Sequence, residues 1–411
     1  MQATLLSEQA ALETVEREPA LKDVCGGYFE IGTALTYDVL RKDPATCDLI
    51  RYHFNSITPQ DELKWDSVHI RLGIYAFRKA DAILRFARDA GMSRIGHVLI
   101  WHQQIPDWVE YRSTGRQCSS RDLLERMQQH IYRVAGKYRG DISHWDVINE
   151  AFHDNGNYRN TFWYRIIGPE YLEYAFRYAM EAAPETKLYY NDFSIIQPGR
   201  RAAVIQLVRD LRSKGIRIDG VGMQGHWELN WPSVDELDAT LNLFREEGIQ
   251  VCITEMDISV LPRAWSQPGA DLSLNYELKA ELDPYSEGLP QEVEKALAKR
   301  YGELFRLFRR HADIIDRVTL WGSTDACSWR NDWPVNGRSD YPLLFGRNRK
   351  PKAAYYAVLE AMTEHLDNDD ATGTESHNDR GNITENTIGD TDDEAEAGNK
   401  DEGQEDNQTP L

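Results

Sequence analysis

Two glutamates, Glu150 and Glu255, each stand at the end of a short apolar and β-branched run, Trp145–Asn149 and Val251–Thr254. Alone, a glutamate at such a place is most often a salt-bridge partner. A facing pair can do more: one carboxyl group protonates a departing oxygen while the other attacks or stabilises the carbon left behind, as cleavage of a glycosidic acetal requires. Other residues with useful chemistry end similar runs or follow them closely: His97, Trp101 and His102, then Asn149, Gln224 and His226, Asp257, and Trp321. The flat faces of Trp321 and Trp329 suit the C–H faces of pyranose rings, which they cover at little entropic cost. Trp145 precedes its strand end and reads as core.

The elements that must position these residues repeat along the chain. Eight runs have strand character, at 29–35, 54–58, 95–101, 144–149, 187–191, 220–224, 250–255 and 318–323. Apolar spacings of three and four predict helices between them, at 79–90, 120–138, 170–182, 200–213, 233–246 and 291–311. Ser120 and Ser233 are the expected N-caps, and Gly91, Gly215 and Gly248 follow helix ends where a left-handed residue is wanted. This alternation predicts the α/β class and a single (β/α)8 TIM barrel. A doubly wound sheet would want a G-x-G-x-x-G after its first strand, and none occurs there. Catalytic side chains in such barrels project from the C-terminal strand ends, so strands four and seven would set Glu150 and Glu255 across one mouth.

Composition narrows the partners. The chain has 411 residues and a formal charge of −20, but residues 367–411 hold fifteen Asp or Glu against Arg380 and Lys400, a charge of −13 that leaves −7 on the rest. That balance offers no basic surface to nucleic acid. A mean hydropathy of −0.59 argues against a membrane protein. The expected organisation is one catalytic domain over 1–366, including an N-terminal extension, and a disordered acidic tail over 367–411 whose sequon at Asn382 matters only after export. Five cysteines without a C-x-x-C pair, Cys25, Cys47, Cys118, Cys252 and Cys327, are expected to be ordinary thiols, with no metal site implied. The first residues carry no signal-peptide pattern, so the sequence as given reads as cytoplasmic, or as secreted or periplasmic if it is truncated or mature.

Several motifs resemble glycoside hydrolase family 10, whose members are mainly endo-β-1,4-xylanases: W-D-V-I-N-E at 145–150, I-T-E-M-D at 253–257, F-N-S-I-T-P-Q-D-E-L-K-W at 54–65, G-H-V-L-I-W-H-Q-Q-I-P-D-W at 96–108, Y-N-D at 190–192 and W-G-S-T-D-A-C-S-W at 321–329. The resemblance implies a retaining double displacement with Glu150 as general acid and base and Glu255 as nucleophile. It further implies that His226 and Asp257 orient Glu255, that Asn149 grips the 2-hydroxyl, that Lys64, His97 and Trp101 bind the sugar before the cleavage point with Gln224 nearby, and that Tyr190 lies on the leaving-group side. The expected partner is xylan or a xylo-oligosaccharide, bound by a monomer without cofactor. One departure is Gln60-Asp61 where the family usually shows Glu-Asn, so Asp61 is expected to bind hydroxyls and to disfavour an acidic substituent. The segment 261–290, with Trp265, Pro268 and Tyr285, is a candidate wall for one end of the cleft. The rival readings are a β-1,4-glucanase or mixed-specificity glycanase and, from another class, a carbohydrate-binding barrel without catalysis.

Overall fold

The computed structural model describes residues 18–262 and 280–364. The acidic tail, Asn382, Trp265 and Pro268 lie outside the described residues. Eight parallel strands close into a barrel: β1 (Glu30–Leu35), β2 (Ser56–Pro59), β3 (Ser93–Gly96), β4 (His144–Asn149), β5 (Lys187–Asp192), β6 (Gly220–Met223), β8 (Gln250–Ser259) and β9 (Ile315–Leu320). Each pairs with its neighbour in sequence, β9 returns to β1, and β6 pairs with β8. The strands are buried along nearly their whole length because helices cover the outside and side chains fill the inside, which is why they read as continuous apolar runs.

A ninth strand, β7 (His226–Glu228), was not expected. It adds in parallel to the outer half of β8, with His226 opposite Asp257 and Trp227 opposite Ile258. This pairing carries β8 four residues past Glu255, beyond the end expected from the sequence. The third strand differs too: laddering stops at Gly96, so His97 and Trp101 sit on the segment that follows. Val98, Leu99 and Ile100 are buried there, and the segment still leans on β4, with Leu99 N–H donating to Asp146 O, Ile100 N–H to Val147 O and Asn149 N–H to Ile100 O.

The helices fall close to their expected places, at Arg78–Asp89, Ser120–Lys137, Tyr171–Ala182, Pro198–Ser213, Val234–Glu246 and Gln291–Arg310. In Arg78–Asp89 the buried Ala80, Ile83, Leu84 and Ala87 form one stripe toward the barrel. Ser233 caps its helix in a reciprocal box with Glu236. On the other expected cap the position moves by one: Ser119, not Ser120, closes a box with Asp122. Such caps contribute about 1 kcal/mol each. Gly91, Gly215 and Gly248 all adopt positive φ. The helix Ala353–Thr363 packs on Gln291–Arg310 and Leu21–Cys25, and Tyr355 donates its hydroxyl to Pro19 O, tying the last described helix to the first. All five cysteines are free, and all but Cys327 are buried. Among the described residues no helix is long and apolar enough to cross a membrane.

Candidate active site

Two backbone irregularities aim the glutamates. On β8 the register with β9 shifts between Ile253 and Met256, a bulge that includes Glu255. At the end of β4, Glu150 takes a left-handed conformation with φ 59°, which costs a non-glycine residue roughly 1–3 kcal/mol and persists only where its surroundings fix it. Here the Glu150 N–H donates to Asn191 O at 2.9 Å, and the next amide, of Ala151, donates to the Tyr190 hydroxyl at 3.0 Å.

Both carboxylates open into one cleft of about 170 Å³. They share a hydrogen-bonded floor. Gln224 Nε2 donates to Glu150 Oε1 at 3.0 Å and to Asn149 Oδ1 at 3.1 Å, while Asn149 Nδ2 reaches Glu150 at 3.2 Å. Asn191 Nδ2 donates to the same Asn149 oxygen at 3.1 Å and to Glu255 Oε1 at 2.7 Å. Gly222 makes room for this: a Cβ there would lie 2.3 Å from Asn191 Oδ1. Glu150 and Glu255 are only 3% and 5% exposed, so the cleft presents both from protein rather than from open solvent.

Glu255 sits in a chain of alternating charge. His226 Nε2 lies 3.2 Å from Glu255 Oε2, and its Nδ1 lies 3.1 Å from Asp257 Oδ1. With a carboxylate at each ring nitrogen, both nitrogens must carry hydrogen, so His226 is held as imidazolium. Burial opposes that charge, but Asp257 and Glu255 outweigh it and raise His226 to about 9. Burial likewise opposes ionisation of Glu255, and His97 and His226 overcome it, holding its carboxyl below the usual range. Asp257 is also held low against burial, by Arg330, whose Nε donates at 2.7 Å, and by His226. Trp329 Nε1 donates to the other Asp257 oxygen at 2.6 Å. The pair therefore fits a nucleophile kept anionic in a dry setting.

One wall of the cleft is built for hydroxyls. Lys64 Nζ donates to Asp61 Oδ1 at 2.9 Å and to Gln104 Oε1 at 2.7 Å, and stands 5.2 Å from the centre of the Trp101 ring. Lys64, with Gln104, overcomes burial and lowers the Asp61 carboxyl. His97 Nδ1 pairs with Asp146 at 2.9 Å, and its ring meets the edge of Trp321 at 77°. Trp329 stacks on Trp333 at 4.4 Å. Among the described residues Trp101 Nε1 and Gln224 Oε1, both buried at the cleft, have no hydrogen-bond partner.

Of the residues singled out from sequence, Asp61, Lys64, His97, Trp101, Asn149, Glu150, Gln224, His226, Glu255, Trp321 and Trp329 line this cleft together. Asp257 lies behind His226, where an orienting group belongs. Tyr190 is elsewhere than expected: it is fully buried on the outer side of β5, its hydroxyl is used by Ala151 and Asp192, and it offers no surface to a leaving group. Trp145 is core, filling the space beside Gly96. Sequence reasoning passed over Asn191, Asp146, Gln104 and Arg330. Asn191, Asp146 and Gln104 lay inside motifs already quoted, a signal that could have found them; no quoted motif includes Arg330. Among the described residues no cluster of three or more His, Cys, Asp or Glu is placed to hold a metal ion.

Comparison with known proteins agrees with this geometry. Endo-1,4-beta-xylanase A of Xylanibacter ruminicola is 39% identical over 346 residues, 84% of this chain and 94% of the relative. The beta-1,4-xylanase of Dictyoglomus thermophilum is 38% identical over 83% of this chain and 91% of its own. A GH10 endoxylanase retrieved from a sugarcane soil metagenome superposes with a TM-score of 0.80 at 40% identity, covering 83% of this chain and 99% of that structure. The sequence profile of glycosyl hydrolase family 10 matches residues 20–361. With that match spanning the whole barrel and both glutamates, the chain belongs to glycosyl hydrolase family 10.

Proposed function

We propose that the protein is an endo-β-1,4-xylanase that hydrolyses internal xylosidic bonds with retention of anomeric configuration. The observation that carries this reading is the pair Glu150 and Glu255, buried in one cleft and joined through Asn149, Gln224 and Asn191. Glu255, held anionic by His226, attacks the anomeric carbon and forms a glycosyl-enzyme; Glu150 protonates the departing oxygen and then takes a proton from the incoming water. Trp321 and Trp329 supply flat faces and Lys64, Asp61 and Gln104 the hydroxyl contacts. The names of the aligned relatives support xylose as the repeating sugar.

The test is reducing-sugar release from β-1,4-xylan compared with cellulose, together with NMR of the first product anomer. Release from xylan as the β-anomer, lost in Glu255→Ala, is expected. Initial release of the α-anomer would exclude retention, and undiminished activity of Glu255→Ala would exclude the nucleophile.

A further inference from the structure

Behind the acid side of the cleft lies a second polar chain that the chemistry above does not use. Tyr190 donates its hydroxyl to Asp192 at 2.5 Å while accepting the Ala151 N–H. The other Asp192 oxygen accepts from Arg200 Nη1 at 2.9 Å. Arg200 continues to Asp154, through Nη2 to the carboxylate at 2.9 Å and through its backbone N–H to the carbonyl at 3.0 Å. Tyr190, Asp192 and Arg200 are at most 1% exposed, and none of them lines the cleft. A buried ion pair of this kind is a poor device for stability alone, because apolar side chains of similar size serve as well or better.

What the chain grips is the segment that begins at Glu150. It holds Ala151, the amide that immediately follows the left-handed glutamate, and Asp154, three residues further on. Strand alternation separates this from the nucleophile: Asn191 faces inward to Glu255, while Tyr190 and Asp192 face outward to the helix Pro198–Ser213. We propose that the Tyr190–Asp192–Arg200 chain is a positioning device for the proton donor, fixing where the Glu150 carboxyl points without touching substrate. The proposal rests on Glu150 being the acid and names what aims it.

If so, loosening the chain harms only bonds whose leaving oxygen needs a proton. The experiment measures kcat/KM for Tyr190→Phe on xylopentaose and on 2,4-dinitrophenyl β-xylobioside, whose leaving group departs without protonation, with Glu150→Ala as control. A general acid contributes about 10²–10⁴-fold, so the control should lose that on xylopentaose and little on the aryl glycoside. For Tyr190→Phe the expected loss is about tenfold on xylopentaose and under about threefold on the aryl glycoside, part of the same effect. Equal losses on both substrates, or none on either, would overturn the positioning role. Should Tyr190→Phe not fold, Asp192→Asn keeps an acceptor for the Tyr190 hydroxyl but weakens the grip of Arg200, and a smaller split in the same direction is required of it. A control that shows no split would instead remove Glu150 as the acid, so the two failures are distinguishable.

Discussion

Raising the pH should unfasten the nucleophile side at a predictable place. His226 is 7% exposed and both ring nitrogens face carboxylate oxygens, at 3.1 and 3.2 Å. Its folded value of about 9 stands above the ordinary 6.5. A histidine raised on folding contributes stability that is complete below the unfolded value and lost as pH rises through the folded one. Between pH 6.5 and 9 the native state keeps a proton that the unfolded chain has released. At 1.36 kcal/mol per unit, the 2.5 units of separation correspond to about 3 kcal/mol lost across that window. The assay is urea unfolding at half-unit steps from pH 6 to 10, for the protein and for His226→Gln, whose difference cancels other titrations. The gap between the two curves should be widest near pH 6.5 and narrow by about 3 kcal/mol by pH 9.5. Parallel curves would show that His226 is not held as a cation and would remove the account of why Glu255 stays charged.

Other predictions concern packing, acid sensitivity and substrate choice. A Cβ on Gly96 would lie 2.1 Å from the Trp145 ring, so Gly96→Ala should cost at least ~2 kcal/mol in denaturant unfolding, and a neutral result would contradict the tight inner packing. His69 and His130 meet through their Nδ1 atoms at 3.2 Å in a stack with Trp65 and Tyr75, a bond that needs one unprotonated nitrogen, and burial lowers His69 to about 4. A histidine lowered on folding loses stability as pH falls from 6.5 toward 4, so replacing both by Gln should flatten the unfolding free energy over that range; an unchanged acid slope would refute the assignment. Asp61→Asn should raise the rate on glucuronoxylan relative to unsubstituted xylan by about two- to fivefold, the size of a partly exposed charge effect already offset by Lys64; an unaltered ratio would exclude Asp61 as a discriminator.

The barrel was legible because its strands are buried on both faces and its helices on one, two textures that differ even in short stretches. Where a covered segment does not continue the ladder evenly, the reading slipped. Val98–Ile100 is covered and bonded to β4 through Leu99 and Ile100, yet past Gly96 it forms a single isolated bridge, Ile100 to Ile148, rather than a continuous strand. The three-residue strand at His226 is too short to carry a period. With serines at both 119 and 120, the reciprocal bonds between Ser119 and Asp122 choose Ser119 as the cap. In the site, Glu150 and Glu255 were visible through where they end their runs, and strands four and seven set them across one mouth; several of the side chains that hold them in place were not. Arg330 on Asp257 and Tyr190 under Ala151 are meetings of residues 73 and 39 positions apart, decided by tertiary packing.

The two glutamates are mounted differently. Glu255 belongs to a strand bonded along both edges, to β6 and β7 on one side and β9 on the other, so it moves only if the wall of the barrel moves. Glu150 is the first residue off its strand, at the root of an outward excursion anchored by a few buried side chains. Redesign can therefore retune the proton donor by editing that excursion while the nucleophile keeps its alignment. By the same asymmetry, heating or denaturant should first blur the aim of the acid, leaving an intermediate regime in which glycosides with activated leaving groups are still opened and the polymer is not.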